Sequence, residues 1–161
     1  MRSGSSGYIL AFDFGLKHIG VAVGQTVTGT ANPLVTLSAR DGKPDSGEIV
    51  ELVREWRPVN IVVGLPLNMD GSESEMSELA RKFAADLASA TGVDVDMADE
   101  RLTSREAQGQ LSGHRSDKEL RRGVRERRVN LEKHTTRHRI RDSHGAAAAL
   151  IAETWLSDQR R

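Results

Sequence analysis

The sequence predicts an α/β domain built on a mixed five-stranded sheet flanked by helices. Three observations carry that expectation. Short apolar runs of strand length give way to longer stretches with helical spacing. The first two runs are joined by a glycine-containing turn, as in an antiparallel hairpin. The later runs are separated by helices, which is how parallel neighbours in a sheet are connected.

Tyr8-Ile9-Leu10-Ala11-Phe12 is the first buried strand and ends at Asp13. After a turn through Gly15-Leu16-Lys17-His18, Ile19-Gly20-Val21-Ala22-Val23 forms its hairpin partner. Pro33-Leu34-Val35-Thr36-Leu37 is a third strand, with Asn32-Pro33 before it and Asp41-Gly42 after it as turn signals. Asp45 and Glu48 stand at capping-box spacing ahead of Ile49, Val50, Leu52, Val53 and Trp56, an amphipathic helix that Pro58 closes.

Asn60-Ile61-Val62-Val63 is a fourth, buried strand running into the loop from Gly64 to Gly71. Ser72 and Glu75 repeat the capping signature, and a second helix follows until Thr91-Gly92 stops it. Val93, Val95 and Met97 alternate with Asp94 and Asp96, a half-exposed edge strand leading into Asp99-Glu100. Thr103 with Glu106 is read as the cap of a third helix. Apolar residues then thin out until Asp142-Ser143-His144, which opens an Ala-rich helix through Trp155. The parallel part of the sheet is expected to contain the first, fourth and fifth strands.

At 161 residues the chain has room for one domain with a real core. Residues 1–7 read as a flexible polar tail, and residues 8–161 as a single domain. No apolar run reaches the roughly 20 residues that span a bilayer, and the first residues lack an export signal. The absence of cysteine excludes disulfides and thiolate metal sites and fits a cytoplasmic setting. A formal net charge of zero conceals a segregation. Residues 42–100 carry 5 Lys/Arg against 13 Asp/Glu, and residues 101–141 carry 13 against 5. The basic stretch has the composition of a polyanion-docking segment and equally that of a solvated loop.

The most informative feature is where the acids fall. Asp13 closes the first strand, Glu100 follows the fifth, and Asp142 starts the last helix. In open α/β sheets, ligands bind at the carboxyl ends of the parallel strands. Three acids distant in sequence can therefore meet there, and crowded carboxylates stay ionised only beside a cation. Hard oxygen ligands suit Mg²⁺ or Mn²⁺. Two such ions about 3.5–4 Å apart clamp the attacking and leaving oxygens of an in-line phosphoryl displacement. Taken singly, each acid is equally a cap or a solvated strand end. Asp13-Phe14-Gly15 with Gly20 adds a tight turn and a side-chain-free surface through which a phosphate could approach.

Taken together these stretches resemble the YqgF/RuvX family, named for Holliday junction resolvase and pre-16S rRNA nuclease activities. The resemblance lies in Ile9 to Gly24, Val62 to Gly71, Asp99-Glu-Arg-Leu-Thr-Ser104 and the helix Ala147 to Leu156. It spans nearly the whole chain apart from the tail and residues 112–141. It implies an RNase H-like fold and a carboxylate-bound Mg²⁺ or Mn²⁺ nuclease acting on structured RNA or junction DNA. Asp13 and Glu100 match the family's first two acids. Counting back from Trp155, the third slot falls on His144, with Asp142 two residues earlier. A two-residue shift turns a helix by about 200°. Asp142 is taken as the third ligand, with His144 as the alternative.

Lys17 and His18 in the first turn, Asn68 in the loop after the fourth strand, and Arg101 and Arg105 are candidate substrate contacts. So are the backbone N–H groups that Thr103 and Ser104 would open. Turn chemistry and capping explain Asn68 and Thr103 equally well. The basic segment at about residues 112–141, with Arg121, Arg122 and Arg125, is expected to be mobile when free and to clamp nucleic acid through its phosphates. His114, His134 and His138 show no ligand spacing, and Trp56 and Trp155 read as core. Monomer and homodimer stay open. Two other classes compete: an actin-like nucleotide-binding protein, which would need a second domain, and a non-catalytic RNA-binding assembly factor.

Overall fold

The computed structural model describes residues 6–101 and 143–159. Its strands are β1 (Tyr8–Asp13), β2 (His18–Gln25), β3 (Ala31–Arg40), β4 (Lys43–Pro44), β5 (Asn60–Leu65) and β6 (Val95–Asp99). Its helices are α1 (Ser46–Trp56), α2 (Glu75–Thr91) and α3 (Ser143–Gln159). The strands form one sheet in the order β4-β3-β2-β1-β5-β6. β1, β5 and β6 run parallel, whereas β2 and β3 pair antiparallel, as the alternation of hairpin and crossover predicts.

The sheet is covered on both faces, so β1 and β5 are apolar at successive residues rather than alternate ones. Leu10, Phe12, Ile61 and Val63 point to one face, where Ile49 of α1 and Ala80, Phe83 and Leu87 of α2 pack. Ile9, Ala11 and Val62 point to the other, against Ile151, Ala152 and Leu156 of α3. Trp155 of α3 adds a directional lock: its Nε1 donates to Asp96 Oδ2 at 3.1 Å, and Asn60 Nδ2 donates to the same oxygen at 3.2 Å. Both tryptophans pack on apolar clusters.

Three boundaries differ from the sequence expectation. A sixth strand exists because Asp41 and Gly42, both at positive φ, turn the chain back so that Lys43–Pro44 pairs with Ala39–Arg40. Two residues of strand leave no periodic signal. α2 is capped by Ser74 and Ser77, not Ser72 and Glu75. Ser72 is occupied elsewhere, accepting from Asn68 Nδ2 and donating to Asp70 Oδ1. β6 begins at Val95 rather than Val93, since its register with β5 runs from Ile61↔Val95 to Leu65↔Asp99. Glu100 and Arg101 already have helical backbone. Asp99 Oδ1 accepts from the Arg101 N–H at 2.9 Å, as a capping residue does, while the cap expected at Thr103 lies outside the described residues.

Candidate active site

Asp13 is the last residue of β1, and Glu100 follows β6 directly. β5 lies between those two strands, so the side chain of Glu100 has to cross it. Gly64 makes the crossing possible. A Cβ there would stand 2.5 Å from Glu100 Oε1 and 2.6 Å from Ile151 Cδ1. The missing side chain is thus a trough in which Glu100 lies on its way to Asp13.

The two carboxyl groups hydrogen-bond to each other. Burial pushes the Glu100 carboxyl up to about 7, and the negative charge of Asp13 and the shared hydrogen bond push the same way. Asp13 is also raised by burial, while the hydrogen bond from Glu100 and the charge of His144 pull it back. The bond therefore has a direction: protonated Glu100 donates and ionised Asp13 accepts.

His144 sits in the first turn of α3 with Nδ1 3.9 Å from Asp13 Oδ2. Its ring lies 5.4 Å from that of His18, tilted by 34°. Gly20, paired with Asp13 in the hairpin ladder, lets α3 come this close. A Cβ on Gly20 would collide with the His144 carbonyl oxygen and meet Gly145 N at 3.0 Å. The bare surface at Gly20 is filled by the start of α3, where the sequence suggested phosphate. Gly15 allows the tight turn, its Cα hydrogens facing the His18 carbonyl.

Lys17 is exposed in that turn, and His18, also exposed, opens β2 rather than closing the turn as the sequence suggested. Asn68 stands in the loop after β5, its amide nitrogen 2.9 Å from Ser72 Oγ. Arg101 grips Asp99 with Nε and Nη2, the latter at 2.7 Å, and Nη1 reaches Met69 O at 3.3 Å. Asp142, Thr103, Ser104, Arg105, Arg121, Arg122 and Arg125 lie outside the described residues. Two features were not read from the sequence: the trough at Gly64 and the clamp made by Arg101. A glycine at the end of a buried apolar run was their one available signal.

Hard oxygen donors and a shared proton fit a site that takes a divalent cation. Among the described residues, no group of three or more His, Cys, Asp or Glu side chains gathers closely enough to hold one. No helix among the described residues is long and apolar enough to cross a membrane.

An RNase H-like sheet with an acid pair at the carboxyl edge of its parallel strands defines the class. Structures of the same fold include Thermus thermophilus RuvC in complex with a Holliday junction substrate. That likeness has a TM-score of 0.54 at 18% identity over 92% of each chain. The yeast mitochondrial Holliday junction resolvase Ydc2 gives 0.52 at 14% identity, over 94% of this chain and 78% of the other. The chain belongs to the RuvX family, described as Holliday junction resolvase, whose profile matches residues 7–158. A relative from Edwardsiella ictaluri, named "Putative pre-16S rRNA nuclease", is 44% identical over 95% of this chain and 96% of its own. One from Escherichia coli strain SE11 with the same name is 56% identical over 66% of this chain and 77% of its own.

Proposed function

We propose that this chain is a divalent-metal-dependent endonuclease that hydrolyses phosphodiester bonds at the 5′ end of pre-16S rRNA. The observation that carries the reading is the hydrogen-bonded pair Asp13–Glu100 at the carboxyl edge of β1, β5 and β6. Two half-buried acids sharing a proton form a poor structural contact and a good preformed cation site. The names carried by the Edwardsiella and Escherichia relatives favour the RNA substrate.

Asp13 and Glu100 would hold Mg²⁺ or Mn²⁺, with Asp142 completing the set and His144 as the alternative third donor. Bound there, the ions supply Lewis-acid stabilisation of the scissile phosphate and lower the pKa of the attacking water. The chain's own residues do the rest. Gly64 and Gly20 let Glu100 and the start of α3 approach Asp13, so the donors are placed before substrate arrives. Lys17 presents a cation, and His18 a ring N–H donor, to a phosphate beside Asp13. Arg105, Arg121, Arg122 and Arg125 add the sequence-independent phosphate contacts that a backbone-cutting enzyme needs. A cytoplasmic location follows from the proposed substrate.

A second reading, cleavage of four-way DNA junctions, is favoured by the description of the family. One assay separates the two. Wild type, Asp13→Asn and Glu100→Gln are incubated with Mg²⁺ or Mn²⁺ on a precursor rRNA fragment and on a synthetic junction. Wild type should cut the RNA, and neither variant should cut either substrate. Cutting confined to the junction moves the assignment to DNA. Tight RNA binding with no cleavage in either ion makes the protein a binding or assembly factor and ends the enzymatic reading.

A further inference from the structure

On the side of Asp13 away from Glu100, the sheet carries a row of polar and cationic side chains. Successive side chains of a strand point to opposite faces. On β3, Leu37 and Ala39 pack with α1 and α2, which puts Ser38 and Arg40 on the face that α3 covers. His18 pairs with Ser38 and meets the His144 ring of α3, so it shares that face. Lys43 pairs with Arg40 across the β3–β4 hairpin and joins the same row. All four residues are exposed. Asp13 pairs with Gly20, and Gly20 with Thr36, so Arg40 stands two strands across and four residues beyond Asp13. At about 4.8 Å between strands and 3.4 Å per residue, that separation is roughly 17 Å.

The row is fixed relative to the acid pair. Gly42 N donates to Leu16 O at 2.9 Å and Ala39 N to Lys17 O at 2.8 Å, joining the hairpin to the turn that follows Asp13. Gly42, at φ 79°, lies against the Phe14 ring, where a Cβ would stand 2.7 Å from Cζ. The cations are also unspent. Among the described residues, neither Arg40 nor Lys43 has an acidic partner. Asp41 is the one acid of the hairpin and sits in its turn, and Asp45 is engaged at the start of α1, accepting from Gly47 N at 2.8 Å. The other side of Asp13 has the opposite character. Residues 44–100, from which α1, β5, α2 and β6 are built, carry 4 Lys/Arg against 13 Asp/Glu, and Arg101 is committed to Asp99.

The geometry points to this row as a phosphate track, on which the substrate's sugar–phosphate chain continues away from the scissile bond over β2, β3 and β4. Resting on the nuclease reading above, the inference deepens it by giving the backbone a path across the molecule. A guanidinium takes a phosphate through two parallel N–H bonds and an ammonium takes one as a point charge. The Ser38 hydroxyl and a His18 ring N–H add neutral donors between them and Asp13. A reach of roughly 17 Å corresponds to about five stacked nucleotides at 3.4 Å each. A chain leaving the other way would run over the acidic half, where like charge repels it. Contacts of this kind fix register and orientation and read no sequence.

The test uses the full chain and two labelled probes, an RNA stem-loop with a single-stranded 5′ end and a four-way DNA junction. Binding is read by fluorescence anisotropy over a salt series without divalent ion, so it does not depend on cleavage. Wild type should bind at least one probe, with affinity falling linearly in log–log form as salt rises. The double variant Arg40→Ala with Lys43→Ala should bind that probe about tenfold more weakly and lose about 1.4–1.8 from the slope, the share of two phosphates. Arg40→Lys with Lys43→Arg keeps both charges and should restore the slope. Arg54→Ala with Lys82→Ala removes two exposed cations from α1 and α2 across the sheet and should change affinity less than twofold. No binding by wild type, an unchanged slope in the first variant, an equal loss in the α1–α2 control, or no restoration by the charge-preserving pair overturns the track, even if cleavage proceeds. Loss confined to the first variant, together with no cleavage in Mg²⁺ or Mn²⁺, upholds the track and overturns the nuclease reading alone.

Discussion

The carboxyl of Glu100 donates a hydrogen bond to that of Asp13 across a strand that separates their own. The contact places two half-buried acids where only one is readily ionised near neutral pH without a cation. It costs folding stability, and on the proposed metal-bound reading a divalent ion would offset that cost.

The first prediction concerns pH. The carboxyl of Glu100 is raised to about 7 in the folded chain from an ordinary value of 4.5. Between those values the folded state holds more protons than the unfolded state, so stability falls as pH rises. The contribution is fully present below about 4.5 and lost as pH passes 7. Thermal midpoints of metal-free protein should therefore decline from pH 5 to pH 8, and Glu100→Gln should flatten the slope. A change of 1 kcal/mol corresponds to about 2–4 °C in a chain of this size. A slope unchanged in the variant would remove Glu100 as its source.

The second prediction follows from the same proton. Binding Mg²⁺ or Mn²⁺ requires both acids ionised, so at pH 6.5 the ion should displace protons as it binds. Calorimetric titration in two buffers of different ionisation enthalpy measures the number released. Ion at a hundred times its dissociation constant should stabilise the fold by about 2.7 kcal/mol. Asp13→Asn should abolish both effects.

Gly64→Ala tests the trough. The new methyl would press on Glu100 Oε1 and on Ile151 Cδ1, the latter in a side chain only 1% exposed. Overpacking of this kind costs about 1–3 kcal/mol, and Glu100 would be turned away from Asp13. Cleavage should drop by about a hundredfold while the protein still melts cooperatively. Gly20→Ala meets backbone instead, the His144 carbonyl, and should destabilise the fold more because α3 has to shift. Melting curves and cleavage rates on the two variants should rank them in opposite orders of severity per kcal/mol lost.

Much of this arrangement was legible in the sequence, for identifiable reasons. Ile9 to Phe12 and Ile61 to Val63 are apolar at consecutive positions, as strands buried on both faces are, so their parallel pairing could be inferred. Asp13 and Glu100 stood at strand ends, so their meeting could be inferred too. The start of β6 could not, because alternation at Val93, Val95 and Met97 fixes the phase of a strand and not its limits. Gly64 looked like the close of a hydrophobic run, since a missing side chain leaves no pattern of its own. The hold of Arg101 on Asp99 and on Met69 O is tertiary and local, invisible to any periodicity.

The last prediction concerns the third donor. His144 stands 3.9 Å from Asp13 through Nδ1, a separation suited to an ion pair with a protonated ring. A histidine serving as ligand would have to be neutral, and it would favour Mn²⁺ over Mg²⁺. With Asp142 as the ligand, His144 is left to offset the charge of Asp13, and its loss is tolerable. Asp142→Asn should thus abolish cleavage in both ions, whereas His144→Ala should keep cleavage in Mg²⁺ within about tenfold of wild type. The reverse result, a silent Asp142→Asn and an inactive His144→Ala, would assign the third position to the imidazole and make Mn²⁺ the working ion.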